Sequence, residues 1–220
     1  MSFDAGSGVT GILGPNGAGK STLLRCLAGL AGWDAGEVRV GGVDLARRTA
    51  EGRRKIGYMP ERVAFPQEMR VARYLRFVAE MKGIAARARA EAIDMALSRA
   101  GLDGARSRIV GNLSKGYRQR VGFAQALLGE PPVLILDEPS AGLDPLNVLE
   151  FRDVIRSCAA DRTVLVSTHM LSEARLLCDR VVVMSDGVVV YQGATADFLG
   201  VESATDTGNV EEAFRRAVRS

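Results

Sequence analysis

Eight consecutive residues carry the most specific chemical signal in the chain: Gly14-Pro15-Asn16-Gly17-Ala18-Gly19-Lys20-Ser21, followed at once by Thr22. They fit the phosphate-binding pattern G-x-x-x-x-G-K-[ST], in which a glycine-rich loop turns backbone N–H groups toward phosphate oxygens. In that pattern Lys20 reaches the β and γ phosphates of a nucleotide, and the Ser21 hydroxyl holds Mg²⁺. Such a loop works between a strand and a helix N-terminus, where the helix dipole adds to the attraction. The flanking sequence supplies both. Val9 to Leu13 is a short apolar run that predicts a buried strand, and Ser21 to Leu30 predicts a helix with Leu23, Leu24 and Leu27 on one face.

Two further stretches could serve that loop. Val133-Leu134-Ile135-Leu136 is a continuous apolar run, the pattern of a strand buried on both faces, and it ends in Asp137-Glu138. A carboxylate at such a strand end can orient a Mg²⁺ shell, the role open to Asp137, and its neighbour Glu138 can polarise an attacking water. The same pair could equally cap a helix or sit in a turn. The second stretch, Asn112 to Arg120, opens a helix running to about Leu128, with Ser114 as N-cap and Gly116 allowing close backbone approach. It reads either as a simple cap or as a second phosphate cradle. One nucleotide needs one phosphate loop, so a second cradle would serve a nucleotide held by another subunit.

The elements that must position these residues alternate. After the first helix, Glu37 to Val40 reads as a strand, Gly41-Gly42 as a turn and Ile56 to Met59 as a short strand stopped by Pro60. Met69 to Lys82 and Ala85 to Ala100 are helical patterns, separated by Gly83 and closed by Gly101. Leu146 to Ala160 and Met170 to Leu177 read as helices, Thr163 to Ser167 as a strand. Arg180 to Ser185 and Val188 to Tyr191 flank Asp186-Gly187, a hairpin signal. This predicts an α/β fold with a mostly parallel sheet and an inserted helical lobe. Residues 201–209 read as a linker and Glu211 to Arg219 as a short basic helix.

Composition fits one domain of 220 residues with ordinary polarity, 47% hydrophobic and 25% charged. A net charge of +3 gives no case for a nucleic-acid partner. Cys26, Cys158 and Cys178 lie far apart without metal-ligand spacing, which points to a reduced compartment. The N-terminus lacks the basic and apolar regions of a signal peptide, and no run approaches spanning length, so any membrane role runs through a partner.

Leu113-Ser114-Lys115-Gly116 resembles the signature loop of ATP-binding cassette (ABC) ATPases. Ser140-Ala141-Gly142-Leu143-Asp144-Pro145 is similar to their D-loop, and Ser167-Thr168-His169 to their switch-histidine loop, with His169 the one histidine of the chain. The resemblance extends from Val9 to about Tyr191. It implies the phosphate-loop NTPase core of this family as a single domain: core 1–60 and 129–195, helical subdomain 61–128, tail 196–220. It implies ATP and Mg²⁺ as ligands, with Gly14 to Thr22 on the phosphates, Ser21 and Asp137 on the metal, and Glu138 as general base. His169 would contact the γ-phosphate, Ser114 and Gly116 the ATP of the opposite subunit, and Asp144 the dimer interface.

The chain departs from the family pattern in three places. The dozen residues before the loop hold only Phe3 as an aromatic, so the usual first strand pair and its adenine-stacking aromatic have no counterpart. An exposed sheet edge and poor discrimination of ATP from GTP are expected. Glu61 stands where the Q-loop glutamine falls and is the third expected metal contact. Lys115 and Tyr117 replace the commoner glycine and glutamine of the signature. Gly57-Tyr58-Met59-Pro60-Glu61 and Ser114 to Arg120 look like ATPase subunits of exporters whose permease is a separate chain. The implied protein is a homodimeric, cytoplasmic ATPase, peripheral on the membrane and partnered with an integral-membrane permease. A non-transport ABC ATPase and a nucleotide-binding regulatory module are the alternatives.

Overall fold

The computed structural model describes residues 1–199. The anticipated linker and basic helix of the tail lie outside the described residues. Strand β1 (Gly8–Leu13) sits inside a six-stranded sheet, with β6 (Thr163–Thr168) on one side and β7 (Arg180–Ser185) on the other, both parallel to it. Beyond β6 come β5 (Val133–Asp137) and the edge strand β4 (Ile56–Met59), again parallel. Strand β8 (Val188–Ala194) closes the far edge antiparallel to β7. The turn between them has positive φ at Asp186 (47°) and Gly187 (80°), the paired left-handed geometry that the Asp-Gly signal predicts.

Parallel strands of this length must bury both faces, and the side-chain alternation divides cleanly. Leu134, Leu136, Val164, Val166, Val181 and Val183 join one apolar cluster. Ile12, Ile135, Leu165, Val182 and Met184 face the other, where helix α1 (Lys20–Leu27) packs through Leu24. On the first face lie α6 (Pro145–Ala159) and α7 (Leu171–Leu177). The insertion between β4 and β5 holds α3 (Val71–Met81), α4 (Arg89–Arg99) and α5 (Lys115–Leu127). These helices belong to the same cluster, and the Phe123 ring meets Phe151 of α6 edge to face at 5.5 Å. No helix of the described residues is long and apolar enough to cross a membrane.

Three elements went unread in the sequence. Strand β2 (Arg39–Val40) pairs across the Gly41-Gly42 turn with an unforeseen β3 (Val43–Asp44), and among the described residues no third strand joins them. Helix α2 (Thr49–Arg54) contains Gly52, which lowers helix propensity. A Cβ at that position would lie 2.0 Å from Leu45 Cδ2, so close packing against β3's flank demands the glycine. Helix α8 (Thr195–Leu199) follows β8 directly and buries Phe198 and Leu199. The predicted helix over 85–100 opens as a 3₁₀ turn at Ala86–Ala88 before α4.

Lys82 at the end of α3 closes the insertion onto the core. Its ammonium donates to the carbonyls of Gln125 (2.9 Å), Ala126 (3.2 Å) and Leu128 (2.9 Å), the acceptors that α5 leaves unpaired at its C-terminus. Lys82 as a whole is exposed, but desolvation of the ammonium against the end of α5 pulls it down to about 8, below the ordinary lysine value near 10.4. Between those values the unfolded chain binds the extra proton, so the stability from Lys82 rises as pH increases through that window. Lys82→Met is expected to cost about 1 kcal/mol, a fall in Tm of roughly 2–4 °C. Thermal melts at pH 7.5, 8.5 and 9.5 should show the wild-type advantage widening with pH.

Candidate nucleotide site

The parallel register brings the singled-out residues to one edge of the sheet. Leu13 at the end of β1 is level with Thr168 of β6, and Asp137 of β5 is level with Ser167. The loops that follow β1, β5 and β6 therefore leave the sheet side by side at its carboxyl edge, where open α/β sheets form their ligand crevice.

The loop after β1 enters α1 through Gly19, whose φ of 93° is left-handed, so glycine is required at the helix cap. Pro15, Asn16 and Gly17 form an exposed crest, and Thr22 faces solvent on the first turn of α1, while Ala18 and Lys20 are buried. The hairpin turn supports the loop from behind, with Gly187 N–H donating to the Ala18 carbonyl at 3.1 Å. Lys20 Nζ folds back onto the loop, donating to Gly14 O (2.8 Å) and Pro15 O (3.2 Å). It also lies 3.6 Å from Glu138 Oε1, and only 6% of its side chain is exposed.

Beside it, Ser21 Oγ donates to Asp137 Oδ1 at 3.0 Å. The same oxygen accepts from Ser167 Oγ at 2.6 Å, and Ser167 Oγ accepts the Glu138 N–H at 2.8 Å. Ser167 thus fixes both acids of the pair. Glu138 sits at φ 45°, a left-handed conformation uncommon for a side-chain-bearing residue and frequent at functional loops. Its Oε2 lies 3.0 Å from His169 Nδ1, so with an ionised carboxylate the ring carries its proton there. Burial raises the Glu138 carboxyl above the ordinary carboxylate range; His169 and Lys20 oppose that rise and Glu173 adds to it. A half-buried base with a raised pKa, flanked by an ammonium and an imidazole, is equipped to take a proton from water near neutral pH.

These residues fit a nucleotide and its divalent ion. The Ser21 hydroxyl beside the Asp137 carboxylate is the hard-oxygen donor set that Mg²⁺ uses when phosphates supply the rest. Glu61, the third expected metal contact, forms an exposed ion pair with Arg62 at 3.9 Å.

Ser114, Gly116 and Asp144 form a second group. Ser114 caps α5 by accepting the Tyr117 N–H at 3.3 Å, and Asp144 caps α6 by accepting the Asn147 N–H at 3.1 Å. The Asn147 N–H and side-chain amide, both donating to it, hold the exposed Asp144 carboxyl below its usual value. The two helix starts touch: a Cβ at Gly116 would come within 2.7 Å of Asn147 Oδ1. No hydrogen bond or ion pair joins this group to Lys20, Glu138 or His169 among the described residues.

Two residues of the site escaped the sequence reading of roles. Ser167 was part of the Ser-Thr-His stretch, and a hydroxyl in an apolar strand is the available signal, since a buried one needs a partner. Glu173, three residues into α7, accepts from Ser140 Oγ and from Thr168 Oγ1. Nothing in its spacing announced it.

The family model described as "ABC transporter" matches residues 1–141. The uncharacterized ABC transporter ATP-binding protein YxlF of Bacillus subtilis is 40% identical over 83% of this chain, and the match spans 60% of YxlF. The daunorubicin resistance ATP-binding protein DrrA3 of Streptomyces coeruleorubidus is 39% identical over 90% of the chain and 63% of its own length. The chain thus spans about three fifths of the length of these relatives. Among solved structures, cbiO1 from Clostridium perfringens, part of the ABC transporter complex cbiONQ, superposes with TM-score 0.80 at 31% identity, covering 91% of this chain and 82% of that one. An ATP-binding subunit of an ABC transporter gives TM-score 0.80 at 29% identity, over 96% and 88%. The family model spans more than half of the chain, and the chain belongs to the ABC transporter family as an ATP-binding protein.

Proposed function

We propose that this chain hydrolyses ATP as a homodimer on the cytoplasmic face of a membrane, powering export through a separate permease. The observation that carries the hydrolytic part is Glu138, held at 3.6 Å from Lys20 and 3.0 Å from His169 at the carboxyl edge of the sheet. DrrA3 is named for daunorubicin resistance, and a relative in Burkholderia orbicola, 36% identical, is named for Nod factor export. Those names support the export direction, and cbiO1's place in a transporter complex supports a permease partner.

In this reading the residues from Gly14 to Thr22 bind the phosphates through backbone N–H groups and Lys20. Bound Mg²⁺ would neutralise phosphate charge, with Ser21 and Asp137 as its protein contacts and Glu61 completing the set once released from Arg62. Glu138 takes the proton of the attacking water, and His169 orients that carboxylate and faces the γ-phosphate. Lys20 exchanges the Gly14 and Pro15 carbonyls for phosphate oxygens. Ser114, the N-cap of α5, and Gly116 in its first turn contribute to the ATP of the second subunit, with Asp144 between the subunits. The helical insertion, residues 61–128, faces the permease. The barrier is lowered by placement and charge stabilisation rather than covalent chemistry.

Glu138→Gln keeps the shape and removes the base, so kcat should fall by about 10²–10⁴ while ATP still binds. In the wild type, kcat/KM should decline on the acid side with a midpoint above the ordinary glutamate value near 4.3. Steady-state ATPase assays from pH 5 to 8, with nucleotide binding measured in parallel, check both; an unchanged rate in Glu138→Gln removes Glu138 from the base role.

The two-subunit reading has a separate test. ATPase activity should rise more steeply than linearly with protein concentration in the dilute range. Ser114→Arg protein should also depress the rate of a wild-type partner in mixed dimers. Strictly linear rates, down to concentrations where sedimentation shows only monomer, would contradict the shared site.

A further inference from the structure

Outside the residues already assigned roles, one carboxylate joins two loops of the site. Glu173 lies in the first turn of α7, half-buried. Its Oε1 accepts from Ser140 Oγ, in the D-loop that follows Glu138, and its Oε2 accepts from Thr168 Oγ1, beside His169. Thr168 Oγ1 in turn accepts the Met170 N–H at 3.0 Å, fixing the far side of the histidine. Both neighbours of the Glu138–His169 contact are therefore tied to the same side chain, one through Ser140 and one through Thr168. A hydroxyl pair with this geometry leaves neither loop free to move alone.

We infer that Glu173 is a positioning residue: it straps the D-loop to the switch loop, so that Glu138 and His169 are held in register and displacement of one loop is transmitted to the other. The inference rests on the hydrolytic reading above. The Glu173 side chain takes no part in the chemistry; it acts through Ser140 and Thr168.

Glutamine preserves the strap: its amide can accept from one hydroxyl and donate to the other. Alanine removes it. Glu173→Ala is expected to lower kcat by about tenfold to a hundredfold, with ATP affinity within about twofold of wild type, because the phosphate loop is untouched. Glu173→Gln is expected to restore kcat to within about threefold of wild type at pH 7.5. Adding Ser140→Ala to Glu173→Ala should cost little more, since the bond is already gone. A second readout is independent of hydrolysis. His169 is the one histidine, so its imidazole NMR signals are unambiguous; in the nucleotide-free protein they should shift in Glu173→Ala and stay near wild type in Glu173→Gln. Equal kcat in wild type and Glu173→Ala, or equal losses in the alanine and glutamine variants, would overturn the strap. If the wild type shows no more hydrolysis than Glu138→Gln, the hydrolytic reading fails, and the imidazole signals alone decide: shifted in alanine and retained in glutamine supports the strap, unshifted in both overturns it.

Discussion

An ammonium with 6% of its side chain exposed must be compensated where it sits. Lys20 is compensated from two sides: the carbonyls of its own loop, which give it shape, and the carboxylate of Glu138, which gives it charge. That constraint reaches through the molecule. It requires β1 and β5 to end level, two strands apart with β6 between them, and it requires the loop to curl tightly enough for Gly14 O to face back toward α1. The arrangement holds a positive charge ready for phosphate while keeping it paired beforehand. A phosphate group that replaces those partners inherits a site already ordered, which is the condition for electrostatic stabilisation without reorganisation.

The acid pair shows how one strand end sets two carboxylates in different environments. Asp137 is 3% exposed and bonded to two hydroxyls, a setting that suits a metal-facing ligand. Glu138, one residue on, turns into left-handed backbone and out toward His169. The chain supplies two carboxylates of different environment from adjacent positions, and environment is what separates their roles.

Much of this was legible because it is written in contiguous residues. A phosphate loop needs particular residue types in fixed order, and Asp186-Gly187 names its own turn. The parallel sheet followed from apolar runs alternating with helices. Less legible was anything made by side chains meeting across the fold. Lys82 reaches carbonyls more than forty positions away, and Ser140 and Glu173 are 33 apart. Helix α2 stayed hidden because Gly52 is there for Leu45, a contact no local pattern records. Ser114 was ambiguous for another reason: it is a genuine helix cap, as Asp144 also is, and a cap leaves no local sign of a second use. Glu61 was legible only through the resemblance, since its one ion pair here is with its neighbour Arg62.

The central claim is that Lys20 waits on Gly14, Pro15 and Glu138 for a phosphate. The direct measurement is a crystal structure of the Glu138→Gln protein with ATP and Mg²⁺. The account predicts Lys20 Nζ within hydrogen-bond distance of β- and γ-phosphate oxygens, no longer on the Gly14 carbonyl, with the metal on Ser21 Oγ. Nucleotide bound elsewhere, or Lys20 still folded onto Gly14 and Pro15 with phosphate present, would contradict it.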